Sequence, residues 1–144
     1  MMQPCNDKIK VLFLCTGNSC RSQMAEGLLK HYGGEKFQVL SAGTAPAGVD
    51  PRAVQVMNEI GINISGQSSK TVTGSMLDDT DLLITLCGGA RETCPVVPSQ
   101  VQKQHWPLAD PAKAEGSEDE IMHAFRLVRD QLADLVHKLI KQQS

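Results

Sequence analysis

Aromatic side chains are scarce in this chain: one Trp, one Tyr and three Phe among 144 residues. So little ring surface leaves scant material for a pocket that grips a flat aromatic group. Long apolar runs are missing too. The longest, near residues 11–15, falls far short of the roughly 20 residues that a membrane-spanning helix needs. No sign of charge dominates. Fourteen Lys and Arg against sixteen Asp and Glu give a net charge of −2, so there is no basic footprint for nucleic acid and no polybasic membrane patch. The start, Met1-Met2-Gln3-Pro4-Cys5, has no charged-then-apolar signal pattern, and the protein is expected in the cytoplasm. No repeat, low-complexity tract or domain boundary interrupts the sequence. A single domain over 1–144, standing alone as a monomer, is the expectation.

Cysteine is what the chain does have. Five of them, an odd number, do not make a disulfide framework in a reducing compartment. There is no Cys-x-x-Cys pair and no His at ligand spacing from a Cys, so no metal site is expected. Nothing calls for a bound cofactor. Nucleophilic or redox chemistry remains.

The order of elements is readable. Lys8 to Cys15 is an apolar strand, and a helix from Arg21 to Tyr32 stops at Gly33-Gly34. Phe37 to Leu40 makes a second strand. Asp50-Pro51 caps a helix to Ile60 with Val54, Met57 and Ile60 on one side. Residues 62–81 are polar and resist assignment, apart from a short helix near Ser75 to Asp79. A third strand runs from Leu82 to Cys87, a loop from Gly88 to Gln102, and a short fourth strand lies near Lys103 to Trp106. Ser117 and Glu120 form a capping box before a long helix with a stripe of Ile121, Phe125, Val128, Leu132, Leu135 and Leu139. Alternating strands and helices predict an α/β fold with a parallel sheet, whose ligands sit at the carboxyl ends of the strands.

The chemistry starts at such an end. Cys15-Thr16-Gly17-Asn18-Ser19-Cys20-Arg21-Ser22 joins the first strand to the first helix. Backbone amides of this loop, the positive end of the helix and the Arg21 fork all suit a tetrahedral oxyanion. Thr16, Gly17, Asn18, Ser19, Cys20, Arg21 and Ser22 are therefore the expected oxyanion-binding residues, with Gly17 supplying backbone freedom. The field that holds an anion also stabilises a thiolate, so Cys15 is expected to be ionised at neutral pH and nucleophilic.

Two further features fit around it. Cys87 and Cys94 lie seven residues apart across the glycine-bearing run Cys87-Gly88-Gly89-Ala90-Arg91-Glu92-Thr93-Cys94. They are either packing residues or a pair that resolves a sulfur adduct on Cys15 by thiol–disulfide exchange. Asp110, before Pro111, is either a turn former or a general acid for an oxygen leaving group. Cys20 reads as a small packing residue inside the loop. Cys5, His31, His123 and His137 show no partner pattern, and His105 and Trp106 read as packing near the Asp110 loop.

Cys15 to Ser22 with Asp110-Pro111 resembles the low-molecular-weight protein tyrosine phosphatases, which share a four-stranded parallel sheet flanked by helices. A narrower resemblance is to the thioredoxin-coupled arsenate reductases. It rests on the run from Cys15 to Gly27, on Thr85-Leu86-Cys87 with Cys94-Pro95, and on His105-Trp106 before Asp110-Pro111. That resemblance implies that Cys15 attacks arsenate held by the loop, Arg21 clamps the oxyanion, Ser22 helps hold the thiolate and Asp110 protonates the leaving hydroxide. It further implies a Cys15–Cys87 disulfide, then a Cys87–Cys94 disulfide reduced by thioredoxin. Some members bind potassium through residues matching Asn18 and Glu26 and an Asp; Lys70 stands at the Asp position, and its ammonium is expected in the cation's place. The competing readings are a phosphatase, against which the aromatic scarcity and the sequence Ala112-Lys113 after Pro111 count, and a non-catalytic anion-binding or redox-sensing module.

Overall fold

A computed structural model describes residues 8–86 and 101–143. Cys5, Cys87 and Cys94, and with them both expected disulfides, lie outside the described residues. The strands are β1 (Ile9–Cys15), β2 (Phe37–Gly43), β3 (Leu82–Thr85) and β4 (Gln102–His105). They form one parallel sheet in the order β2-β1-β3-β4. The helices are α1 (Arg21–Gly33), α2 (Pro51–Asn58), α3 (Gly74–Asp78) and α4 (Glu118–Gln142). The expected α/β fold with a four-stranded parallel sheet is therefore present. Among the described residues, no helix is long and apolar enough to cross a membrane.

The sheet's two faces carry unequal loads. Val11, Phe13 and Cys15 of β1 point into a large core with Phe37, Val39, Leu82 and Ile84. Helices α1, α2 and α4 cover that face through residues such as Leu28, Met57 and Phe125. The opposite face, with Leu12, Leu14, Ala42 and Leu83, meets Leu77 of the short α3. This split follows the period-2 alternation along β1, every residue of which from Val11 to Cys15 is buried.

Several local signals act as read. Asp50 caps α2 by accepting the Arg52 N–H at 2.8 Å, with Pro51 in the first turn. Ser117 and Glu120 form the reciprocal capping box of α4. Two stripes differ from expectation. In α2, which ends at Asn58, the buried set is Ala53, Val56 and Met57 rather than Val54, Met57 and Ile60. In α4, Met122 and Val136 are buried where Ile121 and Leu135 are only half-buried, because the face turned to α1 and α2 is wider than one line of residues. Strand β3 is described as ending at Thr85, although Leu86 still donates to Leu14 O at 2.9 Å.

The first nine residues of α1, Arg21 to Leu29, are all buried, polar ones included. The helix is enclosed because segment 62–64 closes over it. A Cβ on Gly27 would lie 2.5 Å from Ile64 Cγ2. Burial on every side is why α1 lacks the apolar stripe of a surface helix.

At the far side of the helical layer, Glu59 receives Arg126 at 2.8 Å and Arg129 at 2.8 Å, and Arg129 also donates to Val56 O at the end of α2. Hydrogen bonds from Arg126, reinforced by Arg129, hold the Glu59 carboxyl below the usual carboxylate range. A depressed folded-state value means the stabilisation is present above the ordinary carboxyl range and lost as pH falls on through the lower folded-state value. Glu59→Gln is expected to lower the urea midpoint at pH 7, with the difference from the parent shrinking as pH falls below the ordinary carboxyl range. A difference that does not shrink would place the effect elsewhere than in the ion pair.

Candidate active site

The strand order reverses around β1, which has β2 on one side and β3 on the other. A crevice opens at such a switch point, beyond the carboxyl ends of the strands. Cys15 ends β1 there, opposite Gly43 of β2 in the register. The loop from Thr16 to Cys20 turns back above the sheet and delivers the chain into α1.

The loop's carbonyls are all met from outside. Thr16 O accepts from Ala45 N, Gly17 O from Ala47 N and Ser19 O from Asp50 N, at 2.9 to 3.1 Å. Asn18 O accepts from the Gln23 side chain at 2.9 Å, and Ser69 Oγ adds a bond to Gly17 O at 3.2 Å. In a trans peptide the N–H of the next residue points opposite to the C=O, and no described peptide bond is cis. The amides of Gly17, Asn18, Ser19 and Cys20 therefore face inward. On that side lies a cavity of about 170 Å³ bordered by Cys15, Gly17, Ser19, Cys20, Arg21, Ala47, Asp110 and Ala112. Helix α1 adds its positive end, with no side-chain cap and no acidic residue in its first turn.

The turn needs one residue in the left-handed region, and that residue is Asn18, at φ 45°. Gly17 was the expected source of freedom, but its backbone is ordinary and a Cβ there would meet Ser19 Cβ at 3.6 Å, a normal contact. Asn tolerates the left-handed region because its short amide bonds locally. Asn18 Oδ1 accepts the Lys70 N–H at 2.8 Å, which turns Nδ2 toward Ser22 Oγ, also at 2.8 Å. Ser22 Oγ accepts from Asn18 and keeps its own proton, and Cys15 Sγ lies 2.9 Å from it, so Ser22 is the donor of this bond whenever the sulfur is a thiolate. The three side chains form a chain of hydrogen-bonding partners from Lys70 N to the sulfur.

Arg21 is 3% exposed. Its Nη1 donates to Leu86 O at 3.0 Å and Leu108 O at 3.1 Å, tying the end of β3 to the segment that carries Asp110. Its Nη2 lies 3.7 Å from Asp110 Oδ2 across the cavity. Asp110 Oδ1 accepts from Ala112 N at 3.1 Å, starting a 3₁₀ turn at Pro111. The turn-former reading of Asp110 holds, and the residue also borders the cavity.

Cys20 is the residue that precedes α1, and its thiol donates to Asp50 Oδ2 at 3.6 Å. Burial above all, with the Asp50 and Asp110 carboxylates adding to it, pushes the thiol's pKa up, and Cys20 stays protonated. Trp106 packs on Phe13 with ring centroids 5.7 Å apart, and His105 bonds Thr85 at 2.7 Å. Lys70 departs from expectation. Its ammonium donates to Ser68 O, and it reaches the loop through its backbone N–H instead. Glu26 is engaged by Ser41 on one oxygen and by Lys30 on the other.

The sequence reading missed Ala47 and Ala112 as cavity walls, and it missed segment 67–70 and Gly43 as supports. Gly43 carried a signal, a glycine ending an apolar strand. A Cβ there would lie 2.5 Å from Thr16 O and 2.9 Å from Asn18 N, both backbone atoms.

A family profile described as low molecular weight phosphotyrosine protein phosphatase matches residues 10–144. An arsenate reductase of Shouchella clausii is 48% identical over 128 residues, 89% of this chain and 92% of its own length. A solved arsenate reductase in a phosphate-binding state superposes with a TM-score of 0.80 at 40% identity, covering 94% of this chain and 99% of that one. A thioredoxin-dependent arsenate reductase of Corynebacterium glutamicum has a TM-score of 0.72 at 30% identity, over 96% of this chain and 65% of its own.

Gly43→Ala is expected to displace the loop and weaken binding of inorganic phosphate at least about tenfold by calorimetry. Gly17→Ala is expected to cost less, since its added Cβ makes only ordinary contact. Equal effects would mean that close approach at Gly43 does not set the loop.

Proposed function

The chain belongs to the low molecular weight phosphotyrosine protein phosphatase family, and within it we propose an arsenate reductase that converts arsenate to arsenite. The observation that carries this reading is the small cavity that brings Cys15, Arg21 and Asp110 together. Its other borders are loop residues, Ala47 and Ala112, and no aromatic side chain borders it among the described residues. Such a space suits a compact inorganic oxyanion better than an aryl phosphate.

Arsenate binds with its oxygens on the inward amides of the loop, and Arg21 clamps it. The Cys15 thiolate, supported by Ser22, attacks arsenic and forms a sulfur–arsenic bond. Asp110 gives its proton to the departing hydroxide, which leaves as water. Cys87 then attacks the sulfur of Cys15. The sulfur–arsenic bond breaks, its electron pair stays on arsenic, and arsenic(V) becomes arsenic(III). The two electrons come from the two thiolates, which end as a Cys15–Cys87 disulfide. Cys94 attacks Cys87, frees Cys15 and leaves a Cys87–Cys94 disulfide. A thioredoxin dithiol reduces that pair. The roles of Cys87 and Cys94 rest on sequence, and that of thioredoxin on the Corynebacterium glutamicum relative.

The phosphatase alternative shares the first step and ends with water instead of a thiol. One experiment separates them. Arsenate-dependent NADPH oxidation, coupled through thioredoxin and its reductase, is run beside aryl-phosphate hydrolysis. Turnover in the first assay is expected; turnover only in the second overturns the reading. Cys15→Ser is expected to abolish both activities. Cys94→Ser is expected to complete about one turnover and stall as a disulfide, seen as a single burst of arsenite. Sustained turnover by that variant would sink the three-cysteine relay.

A further inference from the structure

Three of the four outward carbonyls of the loop are held by backbone amides of segment 45–50, which folds around the loop as main chain. The fourth, Asn18 O, accepts from a side chain, Gln23 Nε2, at 2.9 Å. Gln23 is wholly buried, two positions into α1 beyond Arg21. Its second Nε2 hydrogen goes to Ser68 O at 3.0 Å, and its Oε1 accepts from Gln67 Nε2 at 2.8 Å. Gln67 Nε2 also donates to the Gln23 backbone carbonyl at 3.0 Å. Every polar atom of the amide is thus used. The acceptors fix its orientation, because two carbonyl oxygens can only be faced by the NH₂ end.

The geometry points to Gln23 as a positioning residue for the oxyanion cavity. Its bond to Asn18 O sets the plane of the Asn18–Ser19 peptide, and that plane aims the Ser19 N–H inward. This peptide follows Asn18, the loop residue held in the left-handed region, where the chain has an alternative to give way to. Without Gln23 the carbonyl would be free to turn into the cavity. There it would replace a donor with an acceptor, against both the bound anion and the Cys15 thiolate. The same amide pins Ser68, so the 67–70 segment is fastened to the loop on one side by Gln23 and on the other by Lys70 N on Asn18 Oδ1. The inference concerns anion binding and thiolate stability. It rests on the proposed function only for the identity of the anion.

Gln23→Met keeps the bulk and removes both donors. Three readouts test it: inorganic phosphate affinity by calorimetry, the pH profile of Cys15 alkylation by iodoacetamide followed by mass spectrometry, and thermal stability. Phosphate binding is expected to weaken about tenfold or more. The alkylation profile is expected to move toward alkaline pH, although the charged groups near the sulfur, Arg21 and Asp110, are unchanged. A lower melting temperature with both other readouts unmoved makes Gln23 merely structural and overturns the proposal. Should Gln23→Met not fold, Gln67→Leu decides. It frees Gln23 Oε1 and loosens the amide, and a weaker shift in the same two readouts is expected, while no change in either overturns the proposal. None of these measurements needs arsenate turnover. A failed reductase assay with shifted phosphate binding would sink the proposed function and leave the Gln23 role standing, and the reverse pattern would do the opposite.

Discussion

The outward turn of the Thr16, Gly17, Asn18 and Ser19 carbonyls is the constraint on which the site depends, since each peptide so turned sends the following N–H into the cavity. Backbone amides do not choose an anion by themselves. They become a binding site when their carbonyls are satisfied elsewhere and the amides alone remain inside. Here the satisfaction comes from the chain after β2 and from α1 itself. That explains the close approach at Gly43: the strand end must let the loop's backbone lie against it.

The same arrangement serves the sulfur. Ser22 lies within hydrogen-bond reach of Cys15 and accepts from Asn18, and Asn18 is oriented by the Lys70 amide. Arg21 is used twice, once to join the ends of β3 and of the segment before Asp110, and once to face the cavity. A guanidinium suits this double use because its fork is planar and rigid. Cys20 borders the same space and yet differs in chemistry. Burial and nearby carboxylates keep its proton on, and its sulfur faces Asp50, whereas the Cys15 sulfur faces the Ser22 hydroxyl.

Much of the fold was legible locally. The capping residues Asp50 and Ser117 declare α2 and α4, because a cap is a bond between residues two or three positions apart. The apolar run of β1 and the strand–loop–helix setting place Cys15 at a sheet's carboxyl edge. The buried face of α4 was less legible. Its pattern of Met122, Phe125, Val128 and Val136 depends on how wide a surface α1 and α2 present, which no periodicity encodes. Residues 62–81 were opaque for a related reason. Their role is to bond with a loop some fifty positions earlier, as Ser69 does with Gly17, and polar residues engaged at long range look like any polar loop.

What the sequence determined by itself is the candidate set: a cysteine, an arginine six positions on and a carboxyl before a proline, with Cys87 and Cys94 as the proposed resolving pair. Residue type and short spacing carry that much, because strand, turn and helix are local structures. What only the tertiary structure decided is the disposition of that set. The donors that turn the loop's carbonyls outward, the choice of Asn18 over Gly17 for the left-handed position, the pairing of Glu26 with Lys30 in place of Lys70, and the small walls at Ala47 and Ala112 all arise from contacts that packing creates. Hydrogen-bond partners of a buried backbone must come from whatever the fold brings near, and a linear chain does not state its neighbours.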